Sequence, residues 1–292
     1  MSCLFCDNGK SFTTQEHIIP ESLGNNDFIL EREVCDKCQK HISKIENYVL
    51  NKTPIGFWRT LLTIRTKKNK LPFVDFSKKN ESKGVFPDYS SHHDNIQFHT
   101  HPDFTTELVT SNPLEKYLEN ENSGKLKCVI TPKVIFEIGK FLGKVGIEII
   151  CHGNREKARL DKFKDIRKYV REGSMKGLWP IFHTTEGDIK SLFEYFEADG
   201  HLEERITCYS YKIFEIEAYI ILNLLIGTDS WFICLNRQFP HPDIVKFMGE
   251  NVNAIWYSKD QWKSNSRKQK YLQKQGWTSN ISYVHASAAA WV

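Results

Sequence analysis

The sequence has no long apolar run free of polar side chains. Its two most apolar stretches, near 133–151 and 216–226, are broken by Lys, Glu or Asn, so neither reads as a membrane span. The opening residues Met1-Ser2-Cys3-Leu4-Phe5-Cys6 lack a basic segment followed by an apolar one. No secretory signal is therefore expected, and the cytoplasm is the expected compartment. Charge of one sign is not in large excess: 40 Lys and Arg face 36 Asp and Glu, for a net +4. That balance permits nucleic-acid binding without arguing for it. No repeat at a fixed period is visible, nor is any Gly-rich phosphate loop or nucleophile elbow. His92-His93 and His99-x-His101 have no Cys or carboxylate at ligand spacing and do not read as a metal site.

What is present is an ordinary globular composition over 292 residues, with seven Trp and eleven Tyr to build a core. There are eight cysteines. In a reducing compartment they are not expected to form disulfides. Cys128, Cys151, Cys208 and Cys234 are scattered in apolar surroundings and read as small buried hydrophobes. The other four come as two pairs, Cys3-x-x-Cys6 and Cys35-x-x-Cys38.

Along the chain, Asn51-Lys52-Thr53-Pro54 ends a helical pattern. A short helix is expected over 55–66, a basic run over 65–70, a strand over 71–76 and a polar linker over 77–95. Strands are expected at 96–99, 105–110 and 126–131, with a short helix at 113–120. Pro132 can open a helix, and Val134, Ile135, Ile138, Phe141, Leu142, Val145 and Ile149 keep one apolar face at helical spacing. A second helix is expected over 155–172, with Leu160, Phe163, Ile166 and Val170 inward. Strand-like runs follow at 178–183, 205–216, 230–235 and 254–257, a helix at 242–249, and a basic stretch at 263–274. The pattern predicts an α+β fold. The expected division is 1–52, then a connecting helix and linker over 53–95, then an α+β domain over 96–292.

A CxxC turn brings two thiolates to one tetrahedral Zn²⁺, and two turns complete a closed four-cysteine site. Cys3, Cys6, Cys35 and Cys38 therefore predict a structural zinc. Between the pairs runs Thr14-Gln15-Glu16-His17-Ile18-Ile19-Pro20-Glu21-Ser22-Leu23-Gly24-Asn25, and Val34 to Glu46 follows. An acidic residue beside His, then two aliphatics and Pro, lies between the metal pairs. This order resembles the HNH, or ββα-metal, endonucleases, in the subgroup pinned by two CxxC knuckles. The resemblance covers about the first 50 residues.

The resemblance implies an N-terminal ββα-metal module before the α+β remainder, with metal-dependent hydrolysis of phosphodiester bonds. Carried over, Glu16 would ligate a divalent ion, Mg²⁺ or Mn²⁺, through oxygen. His17 would be the general base, since an imidazole titrates near working pH. The expected substrate is double-stranded DNA, a homodimer is compatible with it, and a restriction or phage-defence role is implied by analogy. Immediately after the last knuckle cysteine the family has Asn or His as a second metal ligand, where this chain has Gln39. His41 is the alternative, but residues two apart on a helix do not share a face. Asn25 or Asn26 is expected to brace the hairpin. Arg32, Lys37, Lys40 and Lys44, and the basic runs with Tyr271 and Trp277, read as phosphate- and base-contacting residues or as a solvated face. The other reading of the chain is a module that binds nucleic acid or a partner without cutting.

Overall fold

The computed structural model describes residues 2–6, 8, 10–25, 27–61, 64, 73–75, 96–100, 106–110, 132–174, 177–185, 209–216, 218–227, 229–238 and 255–257. The expected helices at 113–120 and 242–249, the strand at 126–131, the polar linker and both basic runs lie outside these residues, as do Asn26, Cys128 and Cys208.

The N-terminal part is a small hairpin and a helix. Strand β1 (Glu16–His17) pairs antiparallel with β2 (Ile29–Leu30), Glu16 opposite Leu30 and His17 opposite Ile29. Helix α1 (Asp36–Lys52) starts at the second cysteine pair, with acidic Asp36 in its first turn and Lys52 in its last, both favourable to the helix dipole. Thr53 ends it in an extended conformation, as expected before a proline. Pro54 then opens α2 (Pro54–Leu61), shorter than the sequence pattern suggested.

Three short strands, β3 (Phe73–Asp75), β4 (Ile96–Thr100) and β5 (Thr106–Thr110), form one antiparallel sheet in that order. A five-stranded antiparallel sheet is built from β6 (Ile181–Thr185), β7 (Tyr209–Ile216), β8 (Tyr219–Ile226), β9 (Asp229–Cys234) and β10 (Ile255–Tyr257). Its order is β10-β6-β9-β8-β7. The α+β expectation is met. Strand alternation divides the apolar residues between two faces. Leu222, Leu224, Ile226, Trp231 and Ile233 join the main core, while Tyr219, Ile221, Phe232 and Cys234 form a second cluster on the opposite face.

Helix α3 (Pro132–Gly153) is the central rod, packed against α1, β8, β9 and two shorter helices, α4 (Arg155–Arg159) and α5 (Lys164–Glu172). Close approach is possible because α3 has no side chain at two of its contacts. A Cβ at Gly143 would stand 2.9 Å from Ile166, and one at Gly146 would stand 2.6 Å from Leu235. The single helix expected over 155–172 is broken. The chain bends at Leu160 and takes one 3-10 turn over Asp161–Phe163. The break is stabilised by Arg167, whose guanidinium donates to the carbonyls of Ala158 and Leu160. It also brings Ala158, Phe163, Ile166 and Val170 into the core together and leaves Leu160 outside.

Buried residues from the first 64 positions and from 132–235 form one hydrophobic cluster. Trp58 of α2 illustrates the joint. Its Nε1 donates to Asp229 Oδ2 at 2.8 Å, and His183 Nε2 lies 3.2 Å from Asp229 Oδ1. Gly227 lies under the Trp58 ring with φ +60°, and any Cβ there would meet the indole at 2.1 Å.

Candidate metal-dependent active site

The four paired cysteines converge. Their Sγ atoms lie within 4.8 Å of one another, and Cys6 and Cys35 are 3.7 Å apart. Four thiolates at about 2.3 Å from one Zn²⁺ would be separated by about 3.8 Å, so the tetrad fits the ion. The first pair sits in a turn tied to the chain before α1 by Leu4 N donating to Glu33 O at 2.8 Å. The second pair straddles the start of α1. The thiols are strongly unequal. A hydrogen bond with Cys38 and backbone donors holds Cys3 down to about 4, while Cys38 is pushed well up by its bond to Cys3 and by burial. Such a cluster cannot ionise fully without a cation at its centre, which zinc would supply.

The cluster is latched to the hairpin by Asp36. Its carboxylate accepts from Ser11 Oγ, from Thr13 N at 2.9 Å and Thr13 Oγ1 at 3.0 Å, and from Thr14 Oγ1 at 3.3 Å. These bonds, Ser11's first, hold the Asp36 carboxyl down to about 2. They fix the strand of chain that leads into β1.

On β1 the two expected chemical residues point apart. Glu16 shares the inward face with Leu30 and is buried, and His17 shares the half-exposed face with Ile29. His17 Nε2 lies 3.9 Å from Glu21 Oε2, which stands on the turn after Pro20. Of the two candidate braces, Asn25 lies among the described residues and braces the hairpin loop. Its Nδ2 donates to Ile19 O at 2.7 Å and Phe28 O at 3.0 Å, and its Oδ1 accepts from Phe28 N at 2.9 Å. Three bonds from one buried amide close the loop between β1 and β2.

Gln39 and His41 part company, as their two-residue spacing required. Gln39 turns to the hairpin, its Nε2 donating to Thr14 O at 3.3 Å. His41 turns to the other side of α1. Its Nε2 is 3.2 Å from Val170 O and 3.3 Å from Lys140 Nζ, and burial together with Lys140 shifts it toward the neutral imidazole. Glu16, His17 and Gln39 are thus grouped around the hairpin, whereas His41 belongs to the packing of α1 on α3 and α5.

One residue of this neighbourhood was missed in the sequence. Lys144, in the middle of α3, is fully buried and reaches under β1. Its Nζ is 2.9 Å from Glu16 Oε1, 3.0 Å from Glu46 Oε1 and 3.0 Å from Glu148 Oε2. It also donates to the carbonyls of His17 at 2.5 Å and Ile18 at 3.0 Å. Burial alone would lower this ammonium, but the three carboxylates outweigh it and hold Lys144 well above its usual value. Burial pushes Glu148 up, against the pull of the Lys144 ammonium.

Comparison with known proteins gives one result for this part of the chain. Residues 3–52 match the family model of the HNH endonucleases. No curated protein and no solved structure matches the chain. The HNH segment spans the whole arrangement from Cys3 to the end of α1, and it points to a nuclease or nucleic-acid-related function. Lys144 and Glu148 lie outside it. No helix among the described residues is long and apolar enough to cross a membrane.

Proposed function

We propose that the protein is a metal-dependent endonuclease that hydrolyses phosphodiester bonds of DNA, with double-stranded DNA as substrate. The observation that carries this reading is the position of His17. It stands on the half-exposed face of the hairpin, inside the segment that matches the HNH endonucleases.

In this reading His17 takes the proton from the water that attacks the phosphodiester. Glu16 and Gln39 would hold a divalent ion, Mg²⁺ or Mn²⁺. Their donors are of the right kind, since carboxylate and amide oxygens are hard ligands, and the Gln39 amide is held at the hairpin by its nitrogen on Thr14 O. A carboxylate accepts at two oxygens, so an ammonium on Oε1 is compatible with a ligand role for Glu16. When bound, the ion supplies neutralisation of the charge that builds on the phosphate. His41 has no direct part in this chemistry and acts through the packing of α1. The zinc of Cys3, Cys6, Cys35 and Cys38 is structural. The remainder of the chain serves targeting, sensing or dimerisation, and the biological setting is cytoplasmic restriction or phage defence.

The test is cleavage of plasmid DNA with Mg²⁺ or Mn²⁺ by the wild type and by His17→Ala. The expected loss is roughly 100-fold or more, the usual contribution of a general base. Equal rates for the two proteins would remove the nuclease reading. A second reading, a binding module without cleavage, is favoured by the buried Glu16–Lys144 pair and by Gln39 at a position where the family has Asn or His. It predicts DNA binding that is indifferent to EDTA at concentrations that leave the zinc in place.

A further inference from the structure

We propose that Lys144 is a positioning residue of the nuclease site, so that α3 completes a hairpin whose family segment ends at residue 52. The inference rests on the nuclease reading for its kinetic consequence and on geometry for the rest. One ammonium meets five oxygens from three separate places. Glu16 Oε1 and the carbonyls of His17 and Ile18 come from β1 and its continuation, Glu46 Oε1 from α1, and Glu148 Oε2 from the next turn of α3. The two carbonyls matter most. β1 is only two residues long, and Asn25 braces the far side of its loop through Ile19 and Phe28. Lys144 holds the carbonyl of His17 itself, and therefore the direction in which its imidazole leaves the backbone. It also fixes one oxygen of Glu16. Ligating carboxylates and catalytic imidazoles depend on such outer partners for their aim, and an error of about 1 Å costs on the order of 100-fold in rate.

The test separates aim from stability. Lys144→Met alone strands buried carboxylates, so it is paired with Glu148→Gln, which removes one of them. The double variant is expected to keep one zinc per chain and a cooperative thermal transition. It is expected to lose at least tenfold in kcat with KM for DNA within twofold, and to move the His17 ring resonances in the NMR spectrum. Wild-type kcat in the double variant overturns the proposal. Should the double variant not fold, Glu46→Gln carries the test from the half-exposed rim, with a two- to fivefold fall in kcat expected and an unchanged rate overturning the idea. Should the wild type itself cleave nothing, the nuclease reading fails separately. The His17 resonances then decide for Lys144: displaced in the variant, the positioning role stands, and unmoved, it falls.

Discussion

The HNH segment contributes to two clusters of acidic side chains, and they are neutralised in different ways. In one, four thiols within 4.8 Å could be neutralised by a cation from outside the chain. In the other, three glutamates share an ammonium the chain provides itself. With zinc bound, the first would make the segment's fold conditional on a metal. The second makes its geometry conditional on a helix about a hundred residues further on. Local folding and correct aim thus have separate sources.

The largest expected effect breaks the first cluster. Structural zinc in such sites contributes roughly 10 kcal/mol, so a strong chelator should unfold the N-terminal segment. Hydrogen exchange is the measurement. The amides of Gln39 and Ile42 should lose protection, while those of Leu222 and Phe232 in the large sheet keep it. Retained protection in α1 after complete zinc removal would contradict the comparison. Next comes Lys144→Met, which leaves buried carboxylates without their cation. Urea denaturation should show a loss of about 3–5 kcal/mol, with the zinc content unchanged.

Asn25→Ala should follow at about 2 kcal/mol, because the carbonyl of Ile19 loses its Asn25 donor and the N–H of Phe28 loses its Asn25 acceptor. It strikes the hairpin between the two clusters and should leave both intact, which zinc content and the urea midpoint together would show. The smallest effect contrasts the tetrad with a lone thiol. Burial, with Glu33 nearby, pushes Cys151 up to about 11. A raised thiol stays protonated through neutral pH, and the thiolate is the reactive form. Iodoacetamide at pH 8 should label buried Cys151 far more slowly than it labels the more exposed Cys6 of the chelated protein, and mass spectrometry of digests would rank the two.

The contrast also explains what the sequence could and could not convey. The zinc cluster was legible because its spacing is local: each pair closes within four residues, and the two pairs meet where α1 begins. α3 was legible through its apolar face, and part of the sheet through strand-like runs, although β8, which carries most of the residues divided between the two core faces, was not read as a strand. The break at Leu160 was not, because Arg167 stabilises it from the following helix, and a continuous apolar spacing cannot show that. Lys144 was read as a polar interruption of an apolar stretch, and with Glu148 it has the i, i+4 spacing of an exposed pair. Only the tertiary approach of α1 and β1 turns that spacing into a buried centre. The bracing role of Asn25 became visible only once the carbonyls of Ile19 and Phe28 were in place.

The order of these partners along the chain has a consequence during synthesis. Emerging from the ribosome, the cysteines at 3, 6, 35 and 38 are all exposed to solvent before Lys144 is translated. The metal knot can close on a nascent chain, yet Glu16 and Glu46 still lack their counter-cation. The hairpin is therefore tied early and aimed late, once α3 has emerged.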